Sequence, residues 1–102
     1  AKIFARVNHG AGAQSIGKDI GASELLIFGN PKVGTPAMEV SRVAGLALPL
    51  KVLVYEDTSG QVWLTYEDPA ETMEMVAGVP MDPAVTTPMV NALKKLTGVA
   101  AQ

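Results

Sequence analysis

The chain contains no cysteine and a single histidine. Without cysteine there is no disulfide framework, no thiolate nucleophile and no sulfur-ligated zinc, and the redox compartment is left undetermined. One histidine cannot complete a standard zinc site unless carboxylates or another subunit contribute. Charge is sparse and balanced: 18% of the 102 residues are charged, with 8 basic against 10 acidic side chains and a net charge of −2. Only Lys94 and Lys95 are adjacent basic residues, so no basic stripe awaits a nucleic-acid backbone. Aromatic residues, at 5%, are too few for a base-stacking platform. No apolar run approaches the roughly 20 residues of a membrane-spanning helix, and the start shows no signal-peptide pattern. The chain opens on Ala1 rather than Met, as removal of an upstream segment would leave it, so the compartment (cytoplasmic or exported) stays open.

What is present is apolar, at 48% of residues, which excludes a solvated, disordered chain. This length fits one small domain, residues 1–102, able to bury roughly 60–65% of its unfolded surface. Residues 2–9, "KIFARVNH", alternate as a strand, with Ile3, Ala5, Val7 and His9 on one face. "GAGAQSIGKDI" (10–20) reads as a loop holding one short, weak helix. "ELLIFGN" (24–30) is a compact apolar run of the kind found in a central strand covered on both faces. Thr35-Pro36 then suits a helix start, Thr as N-cap and Pro at the first helical position. That helix is expected to run to about Ala44, with Ala37, Val40, Val43 and Ala44 inward and Gly45 as its stop.

Residues 46–56 and 62–67 form an expected hairpin about "EDTSGQ", with Leu48, Leu50, Val52 and Val54 facing in. "DPAE" (68–71) opens another helix, with Asp68 as N-cap, Pro69 first and Glu71 third, running to about Val76. A last helix covers about 84–98, with Met89, Leu93 and Leu96 on one face and Asn91, Lys94 and Lys95 towards water. No internal repeat or second domain is visible. The order strand–helix–strand–helix–hairpin–helix–helix predicts an α+β sandwich, helices over a mainly antiparallel sheet.

The candidate chemistry is thin. Gly29 and Gly34 have the spacing of a phosphate-binding loop, between a strand and a helix. Thr35 stands where such a loop needs its lysine, and Pro31 and Pro36 remove two backbone donors, so a plain strand-to-helix turn is expected. A weaker role, an anion held at the Thr35 helix N-terminus, stays open. His9 is a candidate base or single metal ligand at a sheet rim, or a strand-end His bonded to a loop. Glu56, Asp57, Glu67 and Asp68 are accounted for by a hairpin end and an N-cap. Met73, Met75, Met81 and Met89 invite a copper site, but methionine more commonly fills gaps in cores. Neither Ser15 nor Ser41 has a nucleophile's context.

"VNHGAGA", "LLIFGNPKVGTP", "LPLKVLVYED" and "VWLTYEDPA", in this order and spacing, resemble the domain of unknown function 302 family of small bacterial and archaeal proteins. The resemblance runs from about Phe4 to Leu96, and "FGNPKVGTP" is its most specific part. It implies a two-layer α+β fold similar to the TATA-binding-protein class, with helices packed on one face of the sheet, and often a dimer. It implies no established reaction, cofactor or catalytic residue. Against the family pattern two departures are expected: the chain as given reads as lacking the strand and helix usual upstream, and Asn8 stands where an acidic residue commonly precedes the His. The matching positions His9, Asn30, Thr35, Tyr66 and Asp68, with Gly34, are the tentative ligand-binding set, expected on one rim.

The expectation is thus a non-catalytic binding or structural domain that self-associates, with no cofactor, no metal and no nucleic-acid partner, and a small anionic ligand as candidate at the rim. Two alternatives stand beside it. One is a small enzyme with His9 as base and an anion at the Thr35 helix N-terminus, which requires His9 beside an acid such as Asp68. The other is a self-assembling subunit whose free sheet edge is filled by another copy.

Overall fold

The computed structural model describes residues 2–101. The chain runs β1 (Lys2–Asn8), α1 (His9–Ser15), β2 (Ser23–Gly29), α2 (Pro31–Val40), a 3-10 helix (Arg42–Ala47), β3 (Leu50–Glu56), β4 (Val62–Thr65), α3 (Pro69–Ala77) and α4 (Pro83–Ala101). The four strands form one antiparallel sheet in the order β1-β2-β3-β4. The fold is α+β, as the pattern predicts.

Strand register sorts the side chains into two faces, because paired residues share a face and successive ones alternate. Phe28 opposes Leu50 and Leu26 opposes Val52. Phe28, Leu50 and Val52 are buried together with Ala37, Ala44, Met73, Met89 and Leu93, which come from the helical layer. All the fully buried strand residues therefore lie on one face, the one the helices cover. In α4, Met89 and Leu93 face this core and Asn91, Lys94 and Lys95 are exposed; the Leu96 side chain lies outside the described residues.

Several expectations are corrected. First, β2 is central but is not covered on both faces: Leu25 and Ile27, opposite in parity to Phe28, are only half-buried. Second, α2 begins at Pro31 and not at Thr35. Asn30 is the N-cap, its side chain accepting from the Lys32 N–H at 2.9 Å, and Thr35 and Pro36 lie within the helix. Asn-Pro supplies the same cap-then-proline logic as Thr-Pro, five residues earlier. Third, α2 stops at Val40. Ser41 is extended (φ −152, ψ 123), which resets the helical phase before the 3-10 turn. Ala37 and Ala44 stay buried, while Val40 and Val43 are left exposed. Fourth, β1 carries an irregularity between Ile3 and Ala5, where Ile3 opposes Phe28 and Ala5 opposes Ile27. Phe28 and Ile27 face opposite ways, so Ile3 and Ala5 do not share a face.

The weak helix of residues 10–20 is α1, and it starts earlier than expected. Asn8 caps it, accepting from the Ala11 N–H at 2.9 Å, so His9 belongs to the helix and not to the strand. α3 has the expected start, Asp68 accepting from the Ala70 N–H at 3.1 Å, and ends on Gly78 in the left-handed conformation (φ 75).

Candidate functional site

The six tentative site residues fall into three separate places. His9 follows the end of β1 that pairs with the start of β2, where Asn8 opposes Glu24. Asn30, Gly34 and Thr35 lie beyond the other end of β2, next to Lys2 of β1, because Lys2 opposes Gly29. Tyr66 and Asp68 follow β4, the far edge strand, whose last residue Thr65 opposes Leu53. The sheet therefore separates His9 from Asp68 by its full width and by strand direction. No single rim gathers the set.

Each place has its own chemistry. His9 is exposed and borders an open apolar cleft of about 720 Å³ together with Val7, Ile16, Ile20, Leu25 and Leu53. No carboxylate lines that cleft. Asp68 is committed to capping α3. The geometry thus withholds the His9–acid pair that the enzyme alternative requires. Among the described residues, no three His, Asp or Glu side chains converge as metal ligands. Of the methionines considered for copper, Met73 and Met89 are core residues, Met81 packs against the core and Met75 is exposed at 81%; none of the four lines the cleft beside His9.

The glycine-rich stretch is equally committed. The Val33 and Gly34 N–H groups donate to the Asn30 carbonyl at 2.8 and 3.0 Å, and the Lys32 N–H to its side chain. The donors that a phosphate would need are used in starting the helix. With Thr35 inside α2, no helix N-terminus presents an anion site at that residue, which removes the basis of the anion reading there. What Asn30, Gly34 and Thr35 do share is an apolar cavity of about 310 Å³ between β2, α2, the 3-10 helix and the start of β3.

On the helix-side face the helices cover the Phe28–Leu50 end and leave the other end open. A cleft of about 620 Å³ opens there, lined among others by Arg6, Asn8, Gln14, Asp19 and Glu24. Arg6 and Glu24 approach to 3.9 Å across β1 and β2, an exposed pair that stabilises little.

The β3–β4 turn holds the most organised polar group. Asp57 accepts from Ser59 Oγ at 2.7 Å, Trp63 Nε1 at 2.8 Å, and the Ser59 and Gln61 N–H groups at 2.9 and 3.0 Å. The Trp63 bond, then that from the Ser59 hydroxyl, with the two backbone donors, favours the carboxylate and pushes its pKa down to about 2, against slight desolvation. Its role is to shape the turn. The D-T-S-G order signals such a turn, although the reach to Trp63 carries no signature of its own.

The second sheet face is the feature that sequence reading passed over. Its cross-strand rows are Val7–Leu25–Leu53–Thr65, Ala5–Ile27–Lys51 and Ser23–Tyr55–Trp63. The fully buried core residues all belong to the opposite face or to the helices, and Val7 and Trp63 are 40% and 49% exposed. In these rows Lys51 is the one charged residue. The available signal was the doubly apolar β2 run itself, "ELLIFG", which carries large side chains on both faces while the fold has helices enough for one.

Comparison with known proteins agrees with the fold and narrows the identity. The Fluoride-specific ion channel FluC 1 of Brucella suis biovar 1 (strain 1330) is 53% identical over 68 residues, covering 67% of this chain and 27% of the channel. The Fluoride-specific ion channel FluC 2 of Brucella melitensis biotype 1 is 53% identical over 68 residues, covering 67% of this chain and 25% of that channel. The chain thus spans about a quarter of the length of these relatives. The crystal structure of an uncharacterized conserved DUF302 protein from Bacillus stearothermophilus shares the fold with a TM-score of 0.72 and 21% identity, over 94% of this chain and 72% of that one. The family model described as "Domain of unknown function DUF302" matches residues 1–102, and the chain belongs to that family.

Proposed function

We propose that this chain is a non-catalytic domain that self-associates, and that two copies meet through the sheet face the helices leave uncovered. One observation carries the reading: β2 has the apolar sequence of a strand buried on both faces, yet among the described residues only α1 and the segment after it border the second face, at its Val7–Leu25–Leu53 row. Leu25, Ile27 and Leu53 are half-buried, as is Leu26 on the helix side, but the second face has no fully buried residue to match Phe28, Leu50 and Val52. With four strands about 4.8 Å apart and residues about 3.3 Å apart, the face spans on the order of 400 Å² in projection. That is about as large an apolar patch as a monomer ordinarily leaves exposed. Ile16 and Ile20, 74% and 55% exposed beside it, extend the patch towards the roughly 800 Å² per partner of a stable interface. Nearly uncharged rows suit a second copy, because a two-fold contact sets each residue against the same surface and would oppose like charges.

The free edge of β1 is another place where a copy could join, and it is less suited. Its irregularity at Ile3–Ala5 and the exposed Arg6 are both features that discourage edge pairing. In the Brucella channels the matching stretch is about a quarter of a longer chain. Among the described residues here, no helix is long and apolar enough to cross a membrane.

Native mass spectrometry of protein purified without added metal tests the reading. It is supported by a species of two chains carrying no further mass. A monomer at every concentration, or added mass that disappears in His9→Ala, would count against it.

A further inference from the structure

A second surface feature is independent of self-association. The cavity of about 310 Å³ beyond β2 is walled by Phe4, Val33, Met38, Leu48 and Leu50, with Asn30 and Thr35 as its polar members. Among the described residues, no ionisable side chain lines it.

Three of its lining residues are glycines, Gly29, Gly34 and Gly45. None belongs to the positive-φ glycines, which are Gly17, Gly21, Gly60 and Gly78. Their backbones are open to other residues, and Gly34 sits inside α2, where glycine is the poorest choice after proline. Close approach bears on Gly29 and Gly45, and at Gly34 a Cβ would come just into ordinary contact. A Cβ on Gly29 would lie 3.3 Å from the Phe4 ring, one on Gly34 3.4 Å from Leu48 Cδ1, and one on Gly45 3.3 Å from Met38 Sδ. Phe4, Leu48 and Met38 are themselves wall residues, so the bare backbone at three positions lets them close around a shared hollow. A side chain at any of the three would occupy or reshape it.

We propose that this cavity binds a small, uncharged, largely apolar molecule of about two-ring size, anchored by one hydrogen bond to the Thr35 hydroxyl or from the Asn30 NH2 group, whose neighbouring oxygen caps α2. The size follows from volume: a dry cavity of about 150 Å³ accommodates one benzene. The lack of charge follows from the walls, which offer no counter-ion, so a charged group inside would lose its hydration without replacement. One polar anchor among apolar walls is the usual composition of a small-molecule site.

The test is a titration of 15N-labelled protein with 2-naphthol, followed by amide chemical shifts, and a parallel titration with 2-naphthalenesulfonate. The proposal expects saturable shifts confined to residues 29–35, 45, 48 and 50, and binding of the sulfonate weaker by about tenfold or more, since its charge finds no partner. Gly34→Val, which fills the hollow, should weaken 2-naphthol by a similar factor, and the wild-type map decides alone if that variant does not fold. Shifts that do not saturate, or that fall on Val7, Leu25 and Leu53 instead, overturn the site. Equal binding of the sulfonate overturns the assignment to an uncharged ligand.

Discussion

The Asn30 side-chain oxygen accepts from the Lys32 N–H at 2.9 Å, and this contact converts an apparent phosphate loop into the first turn of a helix. Removing it should therefore cost helix stability. Asn30→Ala is expected to destabilise by about 1 kcal/mol, lowering Tm by roughly 4–8 °C in a domain of this size. Thr35→Val, within the helix and exposed, should stay within about 0.5 kcal/mol. Thermal melts of the two variants check the order, and a larger loss for Thr35→Val would restore Thr35 as the cap.

Gly10 is buried where α1 meets the turn before β2. A Cβ there would sit 2.8 Å from the Gly21 carbonyl oxygen, a backbone atom that has no flexible end to move aside. Gly10→Ala is expected to cost about 1–3 kcal/mol through overpacking, although alanine is the better helix former. Gly12→Ala, with open space around it, should be neutral or mildly stabilising. Urea unfolding of the pair separates packing from propensity.

Acid should loosen the β3–β4 turn through Asp57. Its folded pKa, about 2, lies below the ordinary 3.8, so its contribution is present above that ordinary value and is lost as pH falls through about 2. Asp57→Asn should flatten this part of the acid limb. Trp63 fluorescence, reporting on the partner of the carboxylate, should respond in the wild type over that window and lose the response in the variant.

The methionines should divide by burial. Met73→Ala and Met89→Ala, both fully buried, are expected to cost about 2–5 kcal/mol each. Met75→Ala, 81% exposed, should stay within about 0.5 kcal/mol. Equal effects across the three, or a copper-dependent rise in Tm lost in any of them, would contradict their role as packing residues.

Local chemistry was the legible part of this chain. Asp68-Pro69 announces α3, and the apolar alternation of Leu50, Val52 and Val54 announces β3, because a cap and a pleat are decided within a few residues. Boundaries set by competition were less legible. Thr35-Pro36 is the helix start the sequence suggests, whereas the helix starts at Asn30-Pro31, which has the same cap-then-proline chemistry and lies directly at the end of β2. The scattered placement of His9, Asn30 and Asp68 follows from strand direction and order, which no spacing in the sequence encodes. The open sheet face was visible only indirectly, as apolar residues in excess of what one helical layer can cover.

Sedimentation equilibrium of the wild type and of Leu53→Lys, at matched concentrations, addresses the central claim most directly. Leu53 lies in the middle of the uncovered face, opposite Leu25 and Thr65, and lysine there would bring two like charges together at a two-fold contact. The account predicts twice the 10.6 kDa chain mass for the wild type and a folded monomer for the variant. A wild-type monomer, or a variant that still sediments at twice the chain mass, would contradict it.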